Sequence, residues 1–260
     1  MALSAREKAD RVFGPGPVPV CWLNFPSPEI AEVAAESGFP AAVIDLEHTA
    51  ISLESAQRMM MAMKGTGMRP MVRLPEVSTG LTKRVLDIGA VGIVLPYVES
   101  VEEVKKTIED MTYGPRGKRG LASYVNRASR YGADPAGAVK RADEENILIV
   151  MIESRAGVAL APELAAIEGV DALFFGPSDY SFEAGRIDMG SQEMLDAYAA
   201  IEKAARGAGK MMGTAPFGTM TPPRLAELGC DFFAATADVV TLRNGFTGAV
   251  NAVREAAAKR

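Results

Sequence analysis

Ile149-Val150-Met151-Ile152-Glu153-Ser154 and Ala172-Leu173-Phe174-Phe175-Gly176-Pro177-Ser178-Asp179 are the stretches that decide the fold of this chain. Each is a short apolar run closed by an acid, and the two stand one strand–helix unit apart. Such runs read as buried strands of a parallel sheet. They place Glu153 and Asp179 at the same end of neighbouring strands. A carboxylate that ends a buried strand is costly to desolvate unless a cation or a donor meets it, and in a (β/α)8 barrel the carboxyl ends of the strands carry the chemistry. A divalent metal is the candidate that would satisfy both acids. The alternative is that the two acids merely cap the helices that follow.

Outward from these runs, the same unit repeats. Eight apolar runs are expected as strands, near residues 18–23, 41–44, 69–72, 91–95, 147–152, 172–175, 211–214 and 231–234. Amphipathic stretches over 52–63, 101–111 and 194–208 are expected as helices between them. Gly38, Gly89, Gly169 and Gly229 stand where helices must stop before the next strand. No Ser- or Pro-rich linker divides the chain. The expected fold is therefore a single α/β domain over residues 1–260, a (β/α)8 TIM barrel, with 1–17 as a lead-in that turns at Gly14-Pro-Gly-Pro17. The length of 260 residues suits one such barrel.

Composition excludes several classes. The formal net charge is -5, and 23% of residues are charged, so there is no cationic excess to hold a nucleic-acid backbone. Cys21 and Cys230 are the only cysteines, too few for a disulfide framework or a zinc site. No apolar stretch is long enough to span a membrane, and Met1-Ala-Leu-Ser-Ala-Arg-Glu-Lys8 has charges where a signal core would stand. A cytoplasmic protein without membrane or nucleic-acid partners is expected.

The polar residues at the strand ends define the candidate chemistry. The second run leads into Asp45-Leu-Glu47-His48, the third into Arg73, the fifth into Glu153 and the sixth into Ser178-Asp179. His48 is the only histidine; Asp45, three positions earlier, is placed to orient its ring as a general base. The bland alternative is a surface or core histidine. Arg73 interrupts an apolar strand end, where its planar fork needs an anion or a carbonyl oxygen; a structural ion pair is the other reading. No strand ends in the lysine that a Schiff-base aldolase requires, since Lys210 stands at the start of the seventh run. No dinucleotide fingerprint, phosphate loop, zinc-protease motif or nucleophile elbow is present. Carbonyl chemistry in this chain would then rest on a metal.

Taken together, Phe25-Pro-Ser-Pro-Glu29, Ile44-Asp-Leu-Glu-His48, Val72-Arg73-Leu-Pro, Gly117-Lys-Arg-Gly120, Ile152-Glu153-Ser and Gly169-Val-Asp-Ala-Leu-Phe-Phe-Gly-Pro-Ser-Asp179-Tyr-Ser resemble the HpcH/HpaI aldolase and citrate lyase family, in register from about residue 18 to about residue 242. More narrowly they resemble its class II pyruvate aldolases. The resemblance implies that Glu153 and Asp179 hold Mg2+ or Mn2+, with Co2+ a further option, that Arg73 contacts the keto oxygen of pyruvate, and that Asp45 and His48 form a base dyad. It implies that the backbone around Gly176, Pro177, Ser178 and Asp179 receives the substrate carboxylate. It also implies a last helix packed on a neighbouring subunit of a homo-oligomer, a hexamer or a trimer. The sequence departs from the family at Met151, where glutamine is common, and at Leu46, where glycine is common; both bear on substrate identity more than on reaction type.

The expected activity is reversible, metal-dependent aldol cleavage of a 4-hydroxy-2-oxo acid to pyruvate and an aldehyde, with oxaloacetate decarboxylation as a side reaction. Two other classes stay open: a carbon–carbon lyase acting on an acyl-CoA, as in the citrate lyase and malyl-CoA lyase branch, and a non-catalytic barrel that binds an oxo acid. The basic segment 113–132, with Arg116, Lys118, Arg119, Arg127 and Arg130, is either a lid over the metal or a subunit contact or solvated loop.

Overall fold

The computed structural model describes residues 3–122 and 124–259. Eight parallel strands close into a barrel in the order β1-β2-β3-β4-β5-β6-β7-β8. They are β1 Val18–Leu23, β2 Ala41–Asp45, β3 Arg69–Arg73, β4 Gly92–Leu95, β5 Ile147–Ile152, β6 Ala172–Phe175, β7 Met211–Thr214 and β8 Phe232–Ala237. The helices are α1 Ala5–Phe13, α2 Pro28–Glu36, α3 Leu53–Ala62, α4 Thr79–Asp87, α5 Val101–Met111, α6 Pro135–Glu145, α7 Arg155–Ala166, α8 Pro177–Glu183, α9 Gln192–Gly207, α10 Pro222–Glu227 and α11 Asp238–Ala258. The glycine stops expected from the sequence sit at positive φ, Gly38 at 92°, Gly89 at 113°, Gly169 at 96° and Gly229 at 77°, a conformation only glycine adopts cheaply. Among the described residues no helix is long and apolar enough to cross a membrane.

Alternation along the strands sorts the apolar residues into two cores. Ile147, Ile149 and Met151 of β5 pack inside the barrel with Val43, Met71 and Phe174, whereas Leu148, Val150 and Ile152 face the helices. The same parity aims Asp45, Arg73 and Glu153, each two residues beyond an interior residue (Val43, Met71 and Met151), into the mouth of the barrel. Strand β8 runs three residues further than its apolar pattern suggested. Ala234-Ala-Thr-Ala237 carries little strand signal of its own, and its pairing with β1, Cys21 opposite Thr236 and Trp22 opposite Ala237, is what holds it.

The segment 1–17 is more than a lead-in. Ser4 and Glu7 form a capping box that starts α1, and Ala9 and Val12 join the interior core from below, closing the amino end of the barrel. Polar anchors fix it there. Lys8 Nζ donates to Asp171 Oδ1 at 2.9 Å, and Arg6 Nη1 to Asp231 Oδ1 at 3.0 Å. The two acids are equivalent by repeat: Asp171, just before β6, accepts from Leu148 N at 2.9 Å, and Asp231, just before β8, from Met212 N at 2.8 Å.

Burial raises the Asp171 pKa, and Lys8 opposes that rise. Removing Lys8 takes away the one ion pair of a buried carboxylate and leaves it only the field of Lys210, a loss on the order of 3 kcal/mol. Lys8→Met is therefore expected to lower stability by about that amount near neutral pH. Because Asp171 then binds a proton more readily folded than unfolded, the deficit should shrink as pH falls toward the unfolded carboxylate value. Urea denaturation of both proteins across a pH series measures it; a deficit independent of pH would show that Lys8 acts through packing alone.

Candidate active site

At the carboxyl end of the barrel one cation is clasped by several acids. Asp45 and Arg73 are register partners on β2 and β3, and both point inward. Arg73 Nε donates to Asp45 Oδ1 at 2.9 Å and Nη2 to Oδ2 at 2.7 Å, a two-pronged pair in which Asp45 is fully buried. The remaining lone pairs of Asp45 accept from Asn24 Nδ2 at 3.2 Å and from the Glu47 backbone N–H at 3.0 Å. Arg73 Nη1 lies 2.9 Å from Glu47 Oε2, and its guanidinium carbon stands 5.4 Å from the centre of the Trp22 ring. Burial works against the Arg73 charge, but Asp45 and Glu47 outweigh it and raise its pKa above the ordinary arginine value.

This geometry corrects the expected Asp45–His48 dyad. Every hydrogen bond of the Asp45 carboxylate goes to Arg73, Asn24 or the backbone N–H of Glu47, and none goes to the imidazole. The acid beside His48 is Glu47, with Oε2 at 3.6 Å from Nε2. The His48 side chain is 59% exposed at the barrel rim. Glu47 is thus placed between Arg73 and His48; burial, first, and then Asp45 and Asp179 raise its pKa against the lowering effect of Arg73 and His48.

The acid pair lies across the mouth. Glu153 is 2% exposed; Oε2 accepts the Tyr97 N–H at 2.9 Å, from a backbone bent to φ 46° at Tyr97. Burial pushes its pKa up to about 8, with Asp179 and Glu47 adding to the rise. Gly176 makes room for it, because a Cβ there would overlap Glu153 Oε1. Neither acid is a helix cap. Ser154 caps α7 by accepting from Gly157 N, and no side chain caps α8, whose first turn Pro177-Ser178-Asp179 presents backbone N–H groups at the same mouth.

The donor set fits a divalent cation. Glu153 and Asp179 carry hard carboxylate oxygens, no side-chain cation forms an ion pair with Glu153 among the described residues, and Asp179 and Glu47 add to the rise of its pKa. Among the described residues no three His, Cys, Asp or Glu side chains gather to ligate an ion by themselves, so such a cation would keep positions for water or substrate.

Other sequence expectations find their places. Met151 packs in the barrel interior, and Leu46 packs toward the helix layer and leaves the mouth clear. The basic segment does not form a lid over its own acids. Arg119 pairs with Asp87, and Arg127 donates to the carbonyls of Ile88 and Met60, at the opposite end of the barrel. Sequence reading missed Trp22, Asn24 and Tyr97. Trp22, the lone tryptophan at the end of β1, was the legible signal; the Tyr97 contact is made by backbone and leaves no signature.

Comparison with known proteins shows the family of the chain. The sequence profile of the HpcH/HpaI aldolase/citrate lyase family matches residues 19–245. The chain is 36% identical to a hydroxypyruvate/pyruvate aldolase of Roseovarius nubinhibens, over 85% of this chain and 86% of that protein. It is 34% identical to a hydroxypyruvate/pyruvate aldolase of Delftia acidovorans, over 92% and 87%. The crystal structure of an HpcH/HpaI aldolase/citrate lyase family protein from Burkholderia cenocepacia superposes with a TM-score of 0.87 at 28% identity, covering 95% of this chain and 98% of that one. On this match along nearly its whole length, the chain is a member of the HpcH/HpaI aldolase/citrate lyase family.

Proposed function

We propose that this chain is a carbon–carbon lyase, a divalent-metal-dependent pyruvate aldolase that cleaves a 4-hydroxy-2-oxo acid to pyruvate and an aldehyde and runs the addition in reverse. The observation that carries this reading is the buried Arg73, locked on Asp45 and facing the Glu153–Asp179 pair. Relatives named hydroxypyruvate/pyruvate aldolase support it.

Glu153 and Asp179 would hold Mg2+ or Mn2+, with Co2+ as a substitute; when bound, the cation supplies Lewis-acid polarisation of the 2-oxo acid. The free N–H groups of Ser178 and Asp179, at the start of α8 behind Gly176 and Pro177, receive the substrate carboxylate. His48, steadied by Glu47, takes the proton of the 4-hydroxyl. The bond between C3 and C4 then breaks, its electrons form the C2–C3 double bond of pyruvate enolate, and the aldehyde departs. Arg73 donates to the enolate oxygen, where charge grows in the transition state. Protonation at C3 completes pyruvate.

A pyruvate-release assay over 4-hydroxy-2-oxo acids tests the activity: turnover should vanish in metal-free buffer and return with Mg2+ or Mn2+. Gly176→Ala is the finer test, since its methyl group must push Glu153 aside. It is expected to weaken metal affinity and turnover by about 10- to 100-fold with the fold intact. Full activity without metal would remove the class II assignment.

Asp45 and His48 should separate cleanly. Decarboxylation of oxaloacetate yields the same enolate without deprotonating a hydroxyl. His48→Ala is expected to lose aldol cleavage by about 100- to 10,000-fold yet keep much of any decarboxylation. Asp45→Asn, which loosens Arg73, should depress both reactions together, by up to about 100-fold. Parallel assays decide; equal losses in His48→Ala would strip the imidazole of its role as base.

The same reading includes a homo-oligomer, a trimer or hexamer. Helix α11 is rooted by Asp238, which accepts from Asn24 N and Phe25 N, and then leaves its own barrel with Phe246 69%, Val250 48% and Val253 71% exposed on one side. Packing of that stripe on a neighbouring subunit would cover it. Phe246→Glu combined with Val253→Glu should shift the sedimentation coefficient to that of a smaller species; an unchanged value would show that α11 makes no such contact.

A further inference from the structure

The amino end of the barrel holds a feature that the aldol chemistry leaves unused. A cavity of about 940 Å³ opens between the loop 63–69, the α4–β4 turn and α6. Its walls carry Lys64, Arg69, Arg119, Arg127, Arg130 and Arg141, a concentration of cation in a chain whose net charge is -5.

Carboxylates answer only half of this charge. Arg69 pairs with Glu145 at 2.8 Å, Arg119 with Asp87 at 2.7 Å and Arg141 with Asp134 at 2.6 Å. Among the described residues no acid lies within ion-pair distance of Lys64, Arg127 or Arg130. Arg69 Nε and Arg119 Nε are buried without a hydrogen-bond partner. Arg127 is half-buried against carbonyls alone, and burial lowers its pKa. Lys64 and Arg130 are exposed, so the cost of desolvation without an anion falls on Arg127, and an incoming anion would relieve it.

The size and lining of the cavity narrow the class of anion. The volume exceeds what a bare inorganic anion fills and falls within the range of organic ligands. Met60, Met63 and Leu86 supply an apolar floor, and the Tyr131 ring, 60% exposed, stands at the edge. Lys64 follows α3, and Arg127 and Arg130 belong to the segment before α6, from which Arg127 reaches the Met60 carbonyl at 3.0 Å; the three unpaired cations border one opening, which suits an anionic group that presents several oxygens.

We propose that this cavity is a binding site for an organic phosphate, with the phosphate or diphosphate group between Lys64 and the Arg127–Arg130 loop and the organic body on the methionine floor. The site lies at the opposite end of the barrel from Glu153 and Asp179, so it stands apart from substrate binding.

Isothermal titration of the full chain with pyrophosphate, ADP and citrate, in buffer stripped of divalent metal over a chelating resin, tests it. ADP is expected to bind once per chain, more tightly than pyrophosphate or citrate, and to weaken as salt rises. The variant Lys64→Ala with Arg130→Asn removes both exposed unpaired charges; asparagine tolerates the φ of 58° at Arg130. That variant should lose about 10-fold or more in ADP affinity with aldol turnover unchanged. Glu153→Gln should bind ADP as wild type does. Absence of saturable binding, full affinity in the double variant, or citrate binding as tightly as ADP would overturn the proposal. So would a change of oligomeric state in the double variant, which would make the cavity a subunit contact.

Discussion

The mouth of this barrel depends on one bidentate ion pair, Arg73 on Asp45, made between register partners on adjacent strands. Parallel pairing fixes the separation of the two Cα atoms, and the inward parity of both residues fixes the direction of the side chains. Little rotamer freedom is left to lose when the fork closes. The pair in turn sets its neighbours: Asn24 and the Glu47 amide complete Asp45, Trp22 backs the guanidinium, and Glu47 reaches the remaining Nη1. A buried pair of this kind contributes little net stability. Its value lies in holding an always-charged donor still at the largely buried base of the mouth.

One arginine cannot neutralise the acids around it. Asp45, Glu47 and Glu153 act on a single guanidinium, and the pKa values of Glu47 and Glu153 are raised by burial first and then by the acids beside them, Asp179 among these. The surroundings favour a second cation, and Glu153 has been given the means to receive one: a strand end that aims it inward, a Tyr97 N–H that orients one oxygen, and Gly176 that clears space beside the other. Electrostatic stress of this sort marks functional sites because no folding requirement produces it.

How much of this was legible in the sequence follows from which forces act locally. The apolar runs, their alternation and the Gly stops predicted all eight strands to within a few residues, since burial and positive φ leave direct traces in composition. Arg73, Glu153 and Asp179 stand out in the sequence because a charge at the end of an apolar run is conspicuous. The partner of Asp45 was not. Three positions of sequence separate Asp45 from His48, but across the sheet Arg73 is its direct neighbour, and only strand register reveals that. The capping helix α1 was also passed over, because its Ser4–Glu7 capping box was overshadowed by the Gly-Pro turn after it. Contacts made by backbone, such as the Tyr97 N–H, cannot be read from side-chain identity at all.

The two ends of the barrel solve opposite problems. At the amino end, each buried acid meets a dedicated cation: Lys8 and Lys210 face Asp171, and Arg6 and Arg206 bracket Asp231. Those charges are matched, and together with α1 they seal the core. At the carboxyl end the acids outnumber their cations and the helix α8 begins without a side-chain cap. Matched charge closes a fold, whereas unmatched charge and free amides keep it open to a ligand. The strands hold both sets of charges in register, so that a core sealed by matched charge and openings left with unmatched charge come from one repeated strand–helix unit.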